Sequence, residues 1–63
     1  MTYWNVVWVD NTTQEERITL ARRSREEALS YVESYFPAFD QKALHQWQFK
    51  DDICDFSVKL EKV

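Results

Sequence analysis

Residues 3–9 read YWNVVWV, and this stretch decides the fold because it predicts one strongly apolar β-strand. Aromatic and β-branched residues of this kind favour strands. Side chains alternate between the two faces of a strand. The even-numbered face carries Trp4, Val6 and Trp8, and the odd-numbered face carries Tyr3, Asn5, Val7 and Val9. Both faces are apolar, so we expect this strand to lie centrally in a sheet or to have its second face covered.

A hairpin is predicted immediately after this strand. Residues 10–14 read DNTTQ and are turn-forming, and residues 15–21 resume an extended pattern. In that second strand, Ile18 and Leu20 are expected to share one face. Two antiparallel strands joined by a short polar loop account for both stretches.

A single helix is marked at both of its ends. Residues 24–27, Ser-Arg-Glu-Glu, form a capping box in which the Ser24 hydroxyl accepts a hydrogen bond from the Glu27 amide. Pro37 disfavours helical geometry at the residue before it, so the helix is expected to end near Tyr35. Between these ends, apolar residues recur at helical spacing as Ala28, Leu29, Val32, Tyr35 and Phe36.

The second half of the chain is predicted to form another hairpin. Asp40 could cap a short helix over residues 41–46, but we favour a loop or helical turn through about Ala43 and then a strand to Lys50. The pair Asp51-Asp52 is expected to make the turn. Residues 53–63 then alternate between apolar and polar residues, which indicates a final strand buried on one face only.

These elements predict an α+β fold. The expected architecture is ββαββ, an antiparallel four-stranded sheet with one helix packed on one face, in a single small domain of residues 1–63. One helix covers one face of a sheet, and the first strand is apolar on both faces. We therefore expect a contiguous apolar patch on the open face, and such patches are typical of interfaces.

Composition excludes several classes of protein. The chain has 63 residues, a net charge of −3, no glycine and one cysteine. Without glycine it has no Walker loop, no dinucleotide-binding fingerprint and no nucleophile elbow. A single cysteine excludes an intrachain disulfide, and a free thiol favours a cytoplasmic location. No apolar run is long enough to span a membrane, and we expect no cofactor and no bound metal.

A basic block precedes the helix. Residues 17–25 contain four arginines and no acidic residue. Arginine suits bidentate contacts with phosphate or carboxylate groups. These arginines could pair with neighbouring glutamates, contact a partner protein, or bind nucleic acid together with aromatic residues. The acidic total argues against nucleic acid as a partner, because nucleic-acid-binding domains are usually basic.

The acidic side chains of the second hairpin have three possible roles. Asp51, Asp52 and Asp55 could form a solvated turn, steer the domain towards a basic partner, or offer oxygen ligands to a metal. The cation-binding interpretation lacks the glycine and the distal glutamate of a calcium loop. His45 and Cys54 are interpreted as packing residues, since no catalytic spacing surrounds either of them.

The chain is therefore predicted to be a non-enzymatic protein-binding module. In size and pattern it is similar to some phage-encoded inhibitors such as anti-CRISPRs. The apolar first strand, the segregated charge and the lack of a catalytic pattern favour a small phage or mobile-element inhibitor of a larger host complex. Two alternatives are a self-associating structural or regulatory homodimer and a nucleic-acid-binding domain that uses the Arg17–Arg25 block. The predicted partner-binding residues are Tyr3, Asn5, Val7, Arg17, Arg22, Arg23, Tyr31, Asp51, Asp52 and Asp55.

Overall fold

A computed structural model describes residues 2–63 and contains, within them, one helix and one five-stranded sheet. In chain order the elements are β1 (Trp4–Asp10), β2 (Glu15–Arg23), α1 (Arg25–Tyr35), β3 (Asp40–Ala43), β4 (Gln46–Lys50) and β5 (Asp55–Lys62). The strand order is β2-β1-β5-β4-β3, and all neighbouring strands are antiparallel. The predicted α+β fold with an antiparallel sheet and one helix is confirmed.

The prediction of four strands is wrong, because residues 40–43 form β3 instead of a loop or helical turn. In the pairing with β4, Asp40 lies opposite Gln48 and Gln41 lies opposite Trp47. All four residues of β3 are exposed. No apolar alternation marks such a strand in the sequence, so pairing with β4 defines it. The observed order is ββαβββ.

Both ends of α1 agree with the sequence prediction. Ser24 is the N-cap, and its hydroxyl oxygen accepts from the Glu27 backbone N–H at 3.2 Å. The helix ends at Tyr35, and the backbone N–H of Phe36 donates to the carbonyl oxygen of Val32 at 2.8 Å. Local chemistry therefore fixes the length and the position of this helix.

The helix covers the even-numbered face of β1. Val6 is fully buried, and Trp4 and Trp8 are partly buried against the same core. The helix packs on β1 and β2. The buried core consists of Val6, Ala28, Val32, Trp47, Val58 and Leu60.

Aromatic side chains extend the core beyond the helix. Phe36 packs edge-on against Phe39 with ring centroids 5.2 Å apart, and Phe39 lies 5.7 Å from Phe49 of β4. On the neighbouring strands, Trp8 lies 5.1 Å from Phe56. The segment after the helix thus brings aromatic side chains onto the far half of the sheet, which an 11-residue helix leaves open.

The pairing of β2 with β1 is irregular. The prediction that Ile18 and Leu20 share one face is therefore wrong. Leu20 lies opposite Val6, whereas Ile18 lies opposite Val7, so Thr19 is an extra residue in the strand. This bulge turns Leu20 towards the helix and Ile18 towards the open face. A second irregularity follows at Arg22, whose φ of 55° is left-handed.

On the open face, the valines of β1 do not form the exposed apolar patch that the sequence predicted. Val7 is 4% exposed and Val9 is 9% exposed. Lys59 of β5 forms ion pairs with Glu61 of the same strand at 3.1 Å and with Glu16 of β2 at 3.5 Å. A hydrogen bond and charge from Glu61, with a smaller contribution from Glu16, raise the pKa of Lys59 above its usual value. Val7 lies opposite Lys59 in the pairing of β1 with β5, so these long polar side chains surround it.

Candidate interaction site

A shallow groove of about 510 Å³ runs between α1 and the edge strand β2. Its β2 wall combines an apolar and a cationic side chain, and its helix wall combines Tyr31 with polar and acidic side chains. The lining residues are Leu20, Arg23, Glu26, Glu27, Ser30, Tyr31 and Ser34. The groove contains Arg23 and Tyr31, two of the residues that the sequence predicted to bind a partner.

Two stacked tyrosines lie beside this groove. The rings of Tyr31 and Tyr35 are 4.5 Å apart between centroids, and Tyr31 also contacts Phe36 at 6.1 Å. The Tyr31 hydroxyl donates to the backbone carbonyl of Thr19 at 3.4 Å, which ties the helix to the bulge in β2. Tyr35 is 68% exposed. The pair therefore has one ring anchored in the protein and one ring open to contact.

Tyr35 is not part of the buried side of the helix, although the sequence pattern predicted that it would be. Its spacing placed it in the apolar stripe with Val32 and Phe36, whereas the structure leaves it on the surface. It contacts the ring of Tyr31, and nothing in residues 2–63 covers it fully. The contact between Tyr31 and Tyr35 could have been predicted from their spacing of four residues, since residues four apart are neighbours on a helix.

The arginine block does not act as one unit. Arg23 lies 4.0 Å from Glu27, and Arg17 lies 3.9 Å from Glu15. Both distances are at the limit of an ion pair, and all four side chains are more than half exposed. Pairing with neighbouring glutamates thus accounts for two of the four arginines, and it leaves the guanidinium of Arg23 accessible at the groove.

The outer edge of β2 is poorly suited to accept a partner strand. The extra residue Thr19 and the left-handed Arg22 interrupt the regular spacing of free backbone N–H and C=O groups. The Arg22 N–H donates to the Asn5 side-chain oxygen at 2.9 Å. A partner is therefore expected to contact the side chains of the groove and not to extend the sheet.

The predicted residues of the first strand lie on the opposite face. Asn5 and Val7 line a smaller depression of about 270 Å³ together with Arg17 and Ile18. Tyr3 precedes β1 and is 42% exposed. Ile18, which was predicted to share a face with Leu20, is 59% exposed on this face because of the bulge.

Two of the three predicted acidic residues have structural partners. The Asp51 carboxylate accepts from the backbone N–H groups of Cys54 at 2.6 Å and Ile53 at 2.8 Å. These bonds, that from Cys54 first, hold the pKa of Asp51 below its usual value. The Asp55 carboxylate accepts from side-chain amides, at 3.0 Å from Gln48 and 2.9 Å from Asn11, which lower its pKa in the same way.

Asp52, like Asp51, is exposed in the turn between β4 and β5. Residues 2–63 contain no group of three or more His, Cys, Asp or Glu side chains placed to hold a metal ion. In the same residues, no helix has the length and apolar character needed to cross a membrane.

Comparison with protein-family models found no match, and neither did comparison with curated proteins or with solved structures.

Proposed function

We propose that this chain is a non-enzymatic protein-binding module whose contact surface is the groove between α1 and β2. The observation that carries the proposal is the stacked pair of Tyr31 and Tyr35, with Tyr35 68% exposed beside a groove lined by Arg23. Tyrosine and arginine are enriched among the residues that dominate binding energy at protein interfaces.

Preorganisation supports this surface. Tyr31 is restrained by its contact with Phe36 and its hydrogen bond to Thr19, so it loses little conformational freedom when a partner binds. Stacking on Tyr31 restricts the ring of Tyr35 in turn. A rigid aromatic contact surface favours affinity because less entropy is lost on association.

The polar side chains of the groove restrict the orientation in which a partner can bind. Ser30 and Ser34 present hydroxyl groups along the helix, and Arg23 presents a guanidinium at the β2 wall. A partner segment that places an apolar side chain against Tyr35 and an acceptor group towards Arg23 would satisfy both parts of the surface.

The finer form of this proposal is an inhibitor of a larger host complex, encoded by a phage or another mobile element and acting in the cytoplasm. A small module of this kind acts by occupying a surface that the complex needs. The free thiol of Cys54 is compatible with a reducing compartment.

A capture experiment with three variants tests the proposal. Immobilised wild-type protein, Tyr35→Ala and Ile53→Ala are exposed to bacterial lysate, and the captured proteins are quantified by mass spectrometry. Ile53 is a matched control because it is 90% exposed and lies in the turn between β4 and β5, outside the groove. We expect a partner that wild type and Ile53→Ala capture equally and that Tyr35→Ala fails to capture.

The affinity of such a partner is then measured directly. Tyr35→Ala and Arg23→Ala are each expected to weaken binding by roughly 30-fold, as for interface residues that contribute about 2 kcal/mol. Equal affinity of all variants, or capture of the same proteins by Tyr35→Ala and wild type, would show that the groove is not the binding surface.

A further inference from the structure

Four side chains form a cluster at the end of the sheet where β1 begins. The Arg25 Nε–H donates to His45 Nε2 at 2.9 Å, and the His45 ring lies 4.6 Å from the Trp4 ring. On the neighbouring strand, the Lys62 ammonium lies over Trp4 at 5.7 Å from the ring centroid. We call these four residues the cationic corner, and they come from α1, the β3–β4 turn, β1 and β5.

The two cations of the corner, Arg25 and Lys62, contact His45 and Trp4 and not a carboxylate. Across residues 2–63, neither Arg25 nor Lys62 has a carboxylate oxygen within 4.0 Å, whereas Arg17 and Arg23 each have one and Lys59 has two. The corner therefore restrains two positive side chains without neutralising them. Within residues 2–63, the two positive charges of the corner therefore lack an ion-pair partner, in a protein of net charge −3.

The Arg25 side chain is oriented with its binding groups free. Its Nε–H is used by His45, so the two terminal Nη groups remain available for a bidentate contact. Because His45 Nε2 accepts this bond, the proton of the neutral imidazole lies on Nδ1. The helix N-terminus is not part of the site, since Ser24 caps it and Glu26 and Glu27 occupy the first turn.

We propose that the cationic corner binds a phosphate-type oxyanion, with Arg25 as the bidentate ligand and Lys62 as the second cation. Planar guanidinium groups match two oxygens of a phosphate, and a dianion matches two uncompensated charges. A long polyanion fits less well, because it would meet the net negative charge of the remaining surface. The shared chemistry is the phosphate group, supplied as inorganic phosphate or as a phosphomonoester.

An NMR titration with inorganic phosphate at constant ionic strength tests the proposal, with chloride as the reference anion. We expect saturable shifts of the Trp4 indole N–H and the Arg25 Nε–H, with a dissociation constant in the millimolar range. Arg25→Gln is expected to weaken phosphate binding about 10-fold. Lys50→Gln removes an equal charge at the far end of β4 and is expected to leave binding unchanged.

His45 is a positioning residue, and two variants separate its role from that of charge. His45→Ala frees Arg25 and is expected to weaken phosphate binding about threefold, while His45→Gln restores an acceptor for the Arg25 Nε–H and recovers most of the affinity. O-phosphoserine, as a second probe, distinguishes the sources. Binding of either phosphate compound supports the site, and preference for phosphoserine identifies a phosphomonoester as the ligand.

Other results would overturn the proposal. One is a shift that stays linear with phosphate concentration or is equal in chloride; another is equal weakening by Lys50→Gln and Arg25→Gln. An oligothymidylate of about twelve nucleotides that binds at least 10-fold more tightly than phosphate, with a steep salt dependence, would assign the corner to a nucleic-acid surface. Preferential binding of a pentaglutamate peptide would assign it to an acidic protein segment.

Discussion

Asp51 shows how one carboxylate holds a turn. It accepts two backbone N–H groups, and these bonds hold its pKa below the usual value of 3.8. A carboxylate whose pKa is lower in the folded than in the unfolded state stabilises the fold above the unfolded pKa. That stability is lost as the pH falls through the lower, folded pKa. We therefore expect thermal stability to fall with acidification below about pH 4.

The variant Asp51→Asn isolates this contribution. The asparagine side-chain oxygen still accepts from Ile53 and Cys54 but carries no charge to titrate. We expect thermal midpoints measured between about pH 2 and pH 6 to vary less with pH in Asp51→Asn than in wild type. Asp52→Asn is the matched control. It removes the same charge from the adjacent, exposed residue, whose carboxylate accepts no hydrogen bond within residues 2–63. An identical pH dependence in Asp51→Asn and wild type would refute the assignment.

At the scale of elements, the cap of α1 offers a quantitative test. Ser24→Ala removes the oxygen that accepts from the Glu27 N–H, which we expect to cost about 1 kcal/mol in the free energy of unfolding. For a domain of this size, the thermal midpoint should fall by roughly 4–8 °C. Ser34→Ala, at an exposed position inside the helix, is expected to leave the midpoint unchanged or slightly higher. Equal destabilisation by both substitutions would show that the cap contributes nothing specific.

The elements also show what a sequence can predict. The helix was predictable because Ser24 and Pro37 act within a few residues of its ends. β3 was not, since its four exposed residues become a strand only by pairing with β4. Ile18 and Leu20 lie on opposite faces of the sheet because Thr19 is an extra residue between them. The position of this extra residue is set by packing across two strands and a helix.

At the scale of the whole molecule, the candidate groove was predictable only in pieces. Tyr31 and Arg23 stood out by residue type, but their proximity depends on how α1 lies along β2. The cationic corner required four elements to meet, so no local pattern could predict it. The burial of Val7 on the open face was unpredictable for a related reason, because Lys59 and its two glutamates from different strands surround it.

The two edges of the sheet determine whether the molecule associates with itself. β2 is nine residues long, carries charged side chains and is bulged at Thr19, and β3 is short and also irregular. Natural proteins use these features to block edge-to-edge pairing. We expect the wild-type protein to sediment as a monomer at about 100 µM, where an unprotected strand edge would promote association.

Deletion of Thr19 tests this protection directly. It makes the Val6–Leu20 and Val7–Ile18 pairs consecutive and removes the bulge that lies between them. The variant that lacks Thr19 should retain its sheet, as measured by circular dichroism. In sedimentation velocity it should form dimers or larger species. Thr19→Ala keeps the extra residue and should remain monomeric. A wild-type dimer, or a folded deletion variant that stays monomeric, would show that the bulge does not protect the edge, and self-association would then have to be explained by another surface.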